Sequence, residues 1–82
     1  MNGSFPLEIR TPEKSLLFDR VTSLQAQAAD GGLEILAGHA NLATLMAPGK
    51  IKYRLESGEE KTLDGGAGFL IVNKGSAHLF IR

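Results

Sequence analysis

The histidines and carboxylates are the first residues to consider, because they could perform acid–base or metal chemistry. The chain has two histidines and no cysteine, so a metal site would have to recruit carboxylates such as Asp30 or Glu34. His39 lies between two small residues, a setting more typical of a loop histidine that bonds to backbone groups. We therefore expect no metal site. His78 alternates with Phe80 along an apolar run, which predicts a half-exposed position on a strand.

Nucleophilic and phosphate-binding chemistry also lack the motifs that they need. No serine lies in a Gly-x-Ser-x-Gly elbow. The run Gly65-Gly66-Ala67-Gly68 is followed by neither a Gly-Lys-Ser/Thr sequence nor a helical pattern, so we interpret it as a turn into a strand. The sequence thus predicts no catalytic residue, no cofactor site and no enzymatic activity of its own.

Size and charge limit the classes of partner. With 82 residues the chain has room for one core, and its folded surface should be on the order of 4,800 Å², of which one standard protein interface would take roughly a sixth. Nine basic and nine acidic residues cancel, which argues against nucleic acid as a partner. The sequence has no apolar run of about 20 residues, and Met1-Asn2-Gly3-Ser4 does not resemble the start of a signal peptide, so we expect no direct membrane insertion.

Alternation of apolar and polar residues predicts strands along most of the chain. The clearest case is residues 49–55, where Ile51, Tyr53 and Leu55 should face inward between basic residues. The continuous run from Phe69 to Val72 predicts a central strand with both faces covered. Further strands are expected at residues 5–10, 15–18, 21–28, 60–64 and 77–82.

The stretch from Asp30 to Gly49 is apolar but rich in turn residues, and it is interpreted as a structured loop rather than a helix. Within it, residues 33–37 are of strand length, whereas the pattern of residues 40–47 fits a helical turn and a strand equally well. Many short strands joined by glycine turns predict an all-β fold, an antiparallel β-sandwich or flattened barrel of about ten short strands. We expect a single domain over residues 1–82, with no C-terminal helical hairpin.

The stretch Ile35-Leu36-Ala37-Gly38-His39-Ala40-Asn41-Leu42, followed by Pro48-Gly49, resembles the signature of the epsilon subunit of F-type ATP synthases. That family has the pattern Ile-x-Pro-Gly-His-Ala-Pro-Leu, so Ala37 and Asn41 stand where proline is usual. Losing both prolines predicts a looser loop around Gly38 and His39.

Two further segments extend the resemblance over roughly residues 7–82. The family segment Thr-Pro-Glu-Lys-x-Leu-Phe with a downstream Val-x-x-Leu is matched by Thr11 to Lys14, Leu17, Phe18, Val21 and Leu24. The Leu-x-Gly-Gly strand near the end of the family's first domain is matched by Leu63, Gly65 and Gly66. The resemblance therefore implies the N-terminal β-sandwich domain of that family. Regulation is attributed to the family's second, helical domain, so we expect this chain alone not to inhibit ATP hydrolysis.

The resemblance also implies a function and two contact surfaces. It implies a non-catalytic rotor subunit of the central stalk, which docks the gamma subunit to the membrane rotor ring (its c subunits) and couples proton transport to ATP synthesis. Such a subunit is peripheral to the energy-transducing membrane, on its cytoplasmic, matrix or stromal side. By position, the residues that face the ring are Asp30, Gly31, Gly32, Leu33 and Glu34. The residues at the junction of gamma and ring are Gly38, His39, Ala40, Asn41 and Leu42.

A carbohydrate- or ligand-binding β-sandwich unrelated to ATP synthase is the alternative hypothesis. Such a module usually needs an aromatic platform. The chain has four phenylalanines and one tyrosine, and most of them fall on positions that the alternation predicts to face inward.

Overall fold

The computed structural model describes residues 3–82. Met1 and Asn2, which the single domain predicted over residues 1–82 includes, lie outside the described residues. The described residues form eight β-strands. Their bounds are β1 Phe5–Arg10, β2 Ser15–Ala28, β3 Gly31–Leu36, β4 Leu42–Met46, β5 Gly49–Leu55, β6 Glu60–Gly65, β7 Gly68–Asn73 and β8 Ser76–Ile81. No helix long and apolar enough to cross a membrane occurs over residues 3–82.

The long strand β2 organises the sheet, because four other strands pair with it. Its N-terminal half pairs with β1, and its C-terminal half lies between β3 on one side and β5 on the other. The remaining strands continue from β1 through β8 and β7 to β4, which meets the end of β2 again at Ala28. The sheet thereby folds over on itself as a flattened sandwich. All pairs are antiparallel except β1 with β8, which are parallel.

The core lies between the two halves of this folded sheet. Leu7, Leu24, Ile35, Leu70 and Leu79 are at most 1% exposed, and each belongs to a different strand. The predicted inward positions Ile51 and Tyr53 are also buried, whereas Leu55 is partly buried and packs against the core. Alternation therefore predicted the buried face of most strands correctly.

The all-β sandwich is confirmed, with eight strands over residues 3–82 where about ten were expected. One cause is β2, which runs unbroken through Asp19 and Arg20 because β1 pairs with Phe18 before these residues and with Val21 after them.

The prediction that both faces of β7 are covered is wrong. Leu70 and Val72 are buried, but Phe69 on the other face is 45% exposed. β7 is central in the sheet, since β4 and β8 pair with its two edges, yet no strand of the described chain covers its outer face.

The stretch from Asp30 to Gly49 is only partly a loop, which corrects the prediction for this segment. It contains β3 and β4, joined by a turn over residues 37–41. The ambiguous residues 40–47 resolve as a strand because Leu42 to Met46 pair in register with Val72 to Gly68 of β7. Tertiary pairing, which local periodicity does not encode, decides the conformation here.

Candidate protein-docking surfaces

The first candidate surface is the tip formed by Asp30, Gly31, Gly32, Leu33 and Glu34, which we call the tip surface. Residues 29–30 form a two-residue turn between β2 and β3. Gly31 has a φ of 139°, and the position of a Cβ atom there meets nothing within 4 Å. The backbone amide of Ala29 donates to the Leu45 carbonyl at 2.9 Å, so β4 braces the turn.

The side chains of the tip surface divide between solvent and core. Asp30 and Glu34 are exposed, and the Glu34 carboxylate accepts a hydrogen bond from Gln25 Nε2 at 3.2 Å. Leu33 points the other way and packs against the buried core. Of the expected contact residues at the tip, Leu33 thus anchors the hairpin, and the acidic and glycine residues offer charge and accessible backbone.

The second candidate surface is the turn and strand start formed by Gly38, His39, Ala40, Asn41 and Leu42, which we call the shoulder surface. Gly38 has a φ of 80°, a backbone conformation that favours glycine. The amide of His39 donates to the Leu36 carbonyl at 3.1 Å, and His39 Nδ1 donates to the Ala40 carbonyl at 2.7 Å. His39 therefore shapes its own loop, as its sequence setting indicated.

Asn41 tethers the shoulder surface to the turn between β7 and β8. Its Oδ1 accepts a hydrogen bond from the backbone amide of Lys74 at 3.0 Å, across a sequence separation of 33 residues. Lys74 itself has a φ of 51° in the β7–β8 turn. The expected loosening from the missing proline is thereby opposed, because the side chain that replaces proline makes a bond that proline cannot make.

The two candidate surfaces lie at opposite ends of β3. This strand has six residues, so the tip turn and the shoulder loop are separated by about 20 Å along it. The same separation keeps His39 away from Asp30, so the fold does not assemble the histidine–carboxylate set that a metal site would need. Among residues 3–82, no three side chains of the metal-binding types form a cluster.

The sequence did not predict that His78 would lie in a cluster with the charged side chains of Glu8 and Arg10. His78 Nδ1 lies 2.9 Å from Glu8 Oε1, and Arg10 Nη2 donates to Glu8 Oε2 at 2.8 Å. The His78 bond, assisted by the nearby Arg10, holds the pKa of Glu8 below its usual value. The His78 side chain is 38% exposed, which confirms the half-exposed position. The parallel pairing of β1 with β8 brings Glu8 and His78 together, and no motif in the sequence indicates that pairing.

Exposed apolar side chains mark the outer face of the sheet around β7. Leu45 is 68% and Phe69 is 45% exposed, and the rings of Phe69 and Phe80 stack with centroids 5.0 Å apart. Phe5 and Tyr53 are buried as expected. The aromatic residues thus form one small outward pair rather than a broad platform, which does not favour the carbohydrate-binding alternative.

The fold and the two surfaces define a small β-sandwich whose accessible loops suit contact with other proteins. Comparison with known proteins identifies it more closely. Residues 4–80 match the family model of the ATP synthase Delta/Epsilon chain, beta-sandwich domain. The chain belongs to this family, as its resemblance to the epsilon subunit implied.

Individual proteins with similar sequences belong to the same family. The ATP synthase epsilon chain of Solibacter usitatus is 38% identical over 72 residues, which are 88% of this chain and 53% of that protein. The epsilon chain of Acinetobacter baylyi is 40% identical over 65 residues, or 79% of this chain and 47% of that protein. The chain therefore spans about half the length of the curated relatives that it matches.

Solved structures show the same fold. A chain in the central stalk and c-ring of the Tetrahymena thermophila mitochondrial ATP synthase aligns with a TM-score of 0.83 at 18% identity, over 99% of this chain and 65% of that one. A chain of the Euglena gracilis mitochondrial ATP synthase aligns with a TM-score of 0.89 at 22% identity, over 99% and 52%. At these identities the likeness establishes the fold alone.

Proposed function

We propose that this chain is a non-catalytic subunit of the central stalk of an F-type ATP synthase, which docks the gamma subunit to the membrane rotor ring. The observation that carries the proposal is the family match over residues 4–80 of an 82-residue chain. The named relatives are ATP synthase epsilon chains, which are subunits of that enzyme complex. In this role the protein sits peripherally at the energy-transducing membrane, on its cytoplasmic, matrix or stromal side.

The geometry supports a mechanical role because the two surfaces are held on one braced strand. The tip surface meets the ring, and the shoulder surface lies at the junction of gamma and ring. Between them, β3 pairs with β2 through six consecutive residue pairs, and Ile35 in its middle is 1% exposed. A close-packed sandwich of this kind resists shear, so it can transmit torque between two partners without slipping.

Polar chemistry suits the tip surface to its proposed ring contact. Asp30 and Glu34 are the acidic residues of the tip, and both are exposed. Glycines at positions 31 and 32 let the backbone of a partner approach closely, because neither carries a side chain that would hold it away. The surface can thus combine charge pairing with hydrogen bonds to the main chain.

Affinity capture tests this proposal. The tagged chain is incubated with gently solubilised membranes of its source, and the retained proteins are identified by mass spectrometry. We expect gamma and rotor-ring subunits to be recovered together. A folded bait that retains neither subunit would contradict the stalk function while leaving the family fold intact.

A matched pair of charge reversals sharpens the capture experiment. Glu34→Lys changes an exposed acid of the tip surface, and Glu13→Lys changes an exposed acid in the turn between β1 and β2. We expect the first variant to retain less ring subunit than the second. Equal retention by the two variants would show that the tip surface does not contact the ring.

A further inference from the structure

β3 has one paired edge and one open edge. Over residues 3–82 it pairs only with β2, whereas β2 itself is paired on both sides. An open strand edge presents unpaired N–H and C=O groups, which can form a ladder with a strand of another protein. Which groups of β3 face the open edge follows from the hydrogen bonds of its neighbour.

Two hydrogen bonds between β2 and β4 fix this orientation. The amide of Ala29 donates to the Leu45 carbonyl at 2.9 Å, and the amide of Ala47 donates to the Gln27 carbonyl at 3.0 Å. The polar groups of β2 on either side of Ala28 therefore point toward β4. Because successive residues of a strand direct their backbone groups to opposite sides, those of Ala28 point toward β3.

The same alternation continues along β3. Ala28 is paired with Gly31, so Gly31 and every second residue after it bond to β2. The residues between them direct their N–H and C=O groups to the open edge, and these residues are Gly32, Glu34 and Leu36. The Leu36 carbonyl accepts the amide of His39 at 3.1 Å, which closes the edge at the shoulder end.

Side chains along this edge leave it accessible. Gly32 has no side chain, and Leu36 is 51% exposed. The outer strand β6 of the same sheet half differs, since it carries Glu60, Lys61 and Asp64 within six residues. Charges of this density are a common protection against pairing at an edge, and on β3 the only charged side chain is Glu34.

We propose that the open edge of β3, from Gly32 to Leu36, accepts an extended segment of a partner protein as an additional strand, with a basic side chain of that segment beside Glu34. The backbone groups of Gly32 and Glu34 form the ladder, and the exposed Leu36 side chain contacts an apolar residue of the segment. The inference rests on the proposed stalk function, because the segment belongs to the protein that meets the tip surface there.

Amide hydrogen exchange tests the ladder directly. In the free chain, the amides of Gly32 and Glu34 should exchange rapidly, and those of Leu33 and Ile35, which bond to β2, should be protected. In ATP synthase isolated with this chain in place, Gly32 and Glu34 should slow by at least about tenfold, because ladder formation shields their amides. Exchange at Gly32 and Glu34 that stays as fast as in the free chain would overturn the proposal.

A proline substitution provides a second test. Glu34→Pro removes an N–H that faces the open edge and leaves the ladder to β2 intact, a placement that edge strands tolerate. Glu34→Ala is the matched control, since it removes the same carboxylate but keeps the N–H. We expect Glu34→Pro to lower retention of synthase subunits by about tenfold relative to Glu34→Ala, the effect of losing roughly 1.4 kcal/mol.

The outcomes separate this inference from the stalk function. Gamma or ring subunits that co-isolate with unprotected Gly32 and Glu34 amides overturn the added strand and leave the stalk function standing. Equal retention of synthase subunits by Glu34→Pro and Glu34→Ala would also overturn the added strand and leave the stalk function standing. Failure of any synthase subunit to co-isolate with the folded chain overturns both.

Discussion

At the residue scale, the carboxylate of Glu8 joins the first and last strands through its bond to His78. Because this bond lowers the pKa of Glu8, the ionised carboxylate stabilises the fold. The stabilisation is fully present above the usual carboxyl pKa of 4.5 and is lost as the pH falls through the lower folded-state pKa. The pairing of β1 with β8 should therefore become less stable at acid pH, where Glu8 is protonated.

Replacing His78 should remove most of this linkage. We expect His78→Val to raise the pKa of Glu8 toward 4.5 and to flatten the dependence of unfolding free energy on pH below that value. NMR titration of the Glu8 carboxyl carbon measures the shift. His39→Ala is the control, because the His39 ring bonds to Ala40 instead. An unchanged Glu8 titration in His78→Val would contradict the assignment.

Asn41 offers a second test at this scale. Asn41→Ala removes the acceptor of the Lys74 amide, and a single hydrogen bond of this kind contributes about 0.5–1.5 kcal/mol. We expect a loss of that size in denaturant unfolding, with hydrogen exchange accelerated more at Lys74 than at Ile35 in the β2–β3 hairpin. Unchanged exchange at Lys74 would mean that the tether does not hold the shoulder loop in solution.

At the element scale, β2 shows how one strand can face the core and solvent at different points. Leu24 is 0% exposed between β3 and β5, whereas Leu17 on the same strand is 73% exposed. We expect Leu24→Ala to cost about 2–5 kcal/mol through lost burial and a residual cavity. Leu17→Ala is the matched control and should stay within about 0.5 kcal/mol. Similar losses in urea unfolding for the two variants would contradict this arrangement.

The β7–β8 pair depends on a close backbone approach at Gly68. A Cβ atom there would clash with the Phe80 carbonyl oxygen, so one of the two strands would have to move. We expect Gly68→Ala to destabilise the fold by about 1–3 kcal/mol, as overpacking does in other cores. Gly32→Ala is the control, because its nearest neighbour is a Gln27 side-chain atom at 3.7 Å. A thermal melt of Gly68→Ala that matches the control would be the contrary result.

The sequence predicted the buried face of most strands but not their partners. Alternation in β5 was enough to place Ile51 and Tyr53 in the core, since burial on one face follows directly from a period of two. The outward position of Phe69 and the bond of His78 to Glu8 depend on which strands become neighbours. That choice is made by contacts distant in sequence, which local pattern does not contain.

The two turns that carry the candidate surfaces were predictable to a similar degree. Turn residues located both of them, because glycine at positions 31 and 38 is required by positive φ values. The inward direction of Leu33 and the tether from Asn41 to Lys74 needed the three-dimensional structure. The sequence thus predicted where the two turns lie, and packing decides which of their side chains are exposed. Contact of these candidate surfaces with partner proteins stays a prediction.

At the scale of the whole molecule, the two outer faces of the sandwich differ in character. The face of β3, β2, β5 and β6 is mostly polar, with ion pairs such as Arg54 with Glu60 at 3.1 Å and with Leu36 as an exposed apolar side chain. The face around β7 exposes Leu45 and Phe69. The molecule has a total accessible surface of 5092 Å², so each standard-sized interface takes a substantial share of it. Two such interfaces, which the proposed function requires, would cover roughly a third of this surface.

Site-specific photo-cross-linking in the assembled complex tests the central claim most directly. A photoreactive amino acid is placed at Asp30 in the tip surface and, as a control, at Ser57 in the β5–β6 turn. Ser57 lies at the far end of β5 from Gly49, which packs against Gln27 near the tip. The proposed function predicts an adduct with a rotor-ring subunit from Asp30 and none from Ser57. A chain that assembles into the synthase but yields no ring adduct from Asp30 would contradict the account.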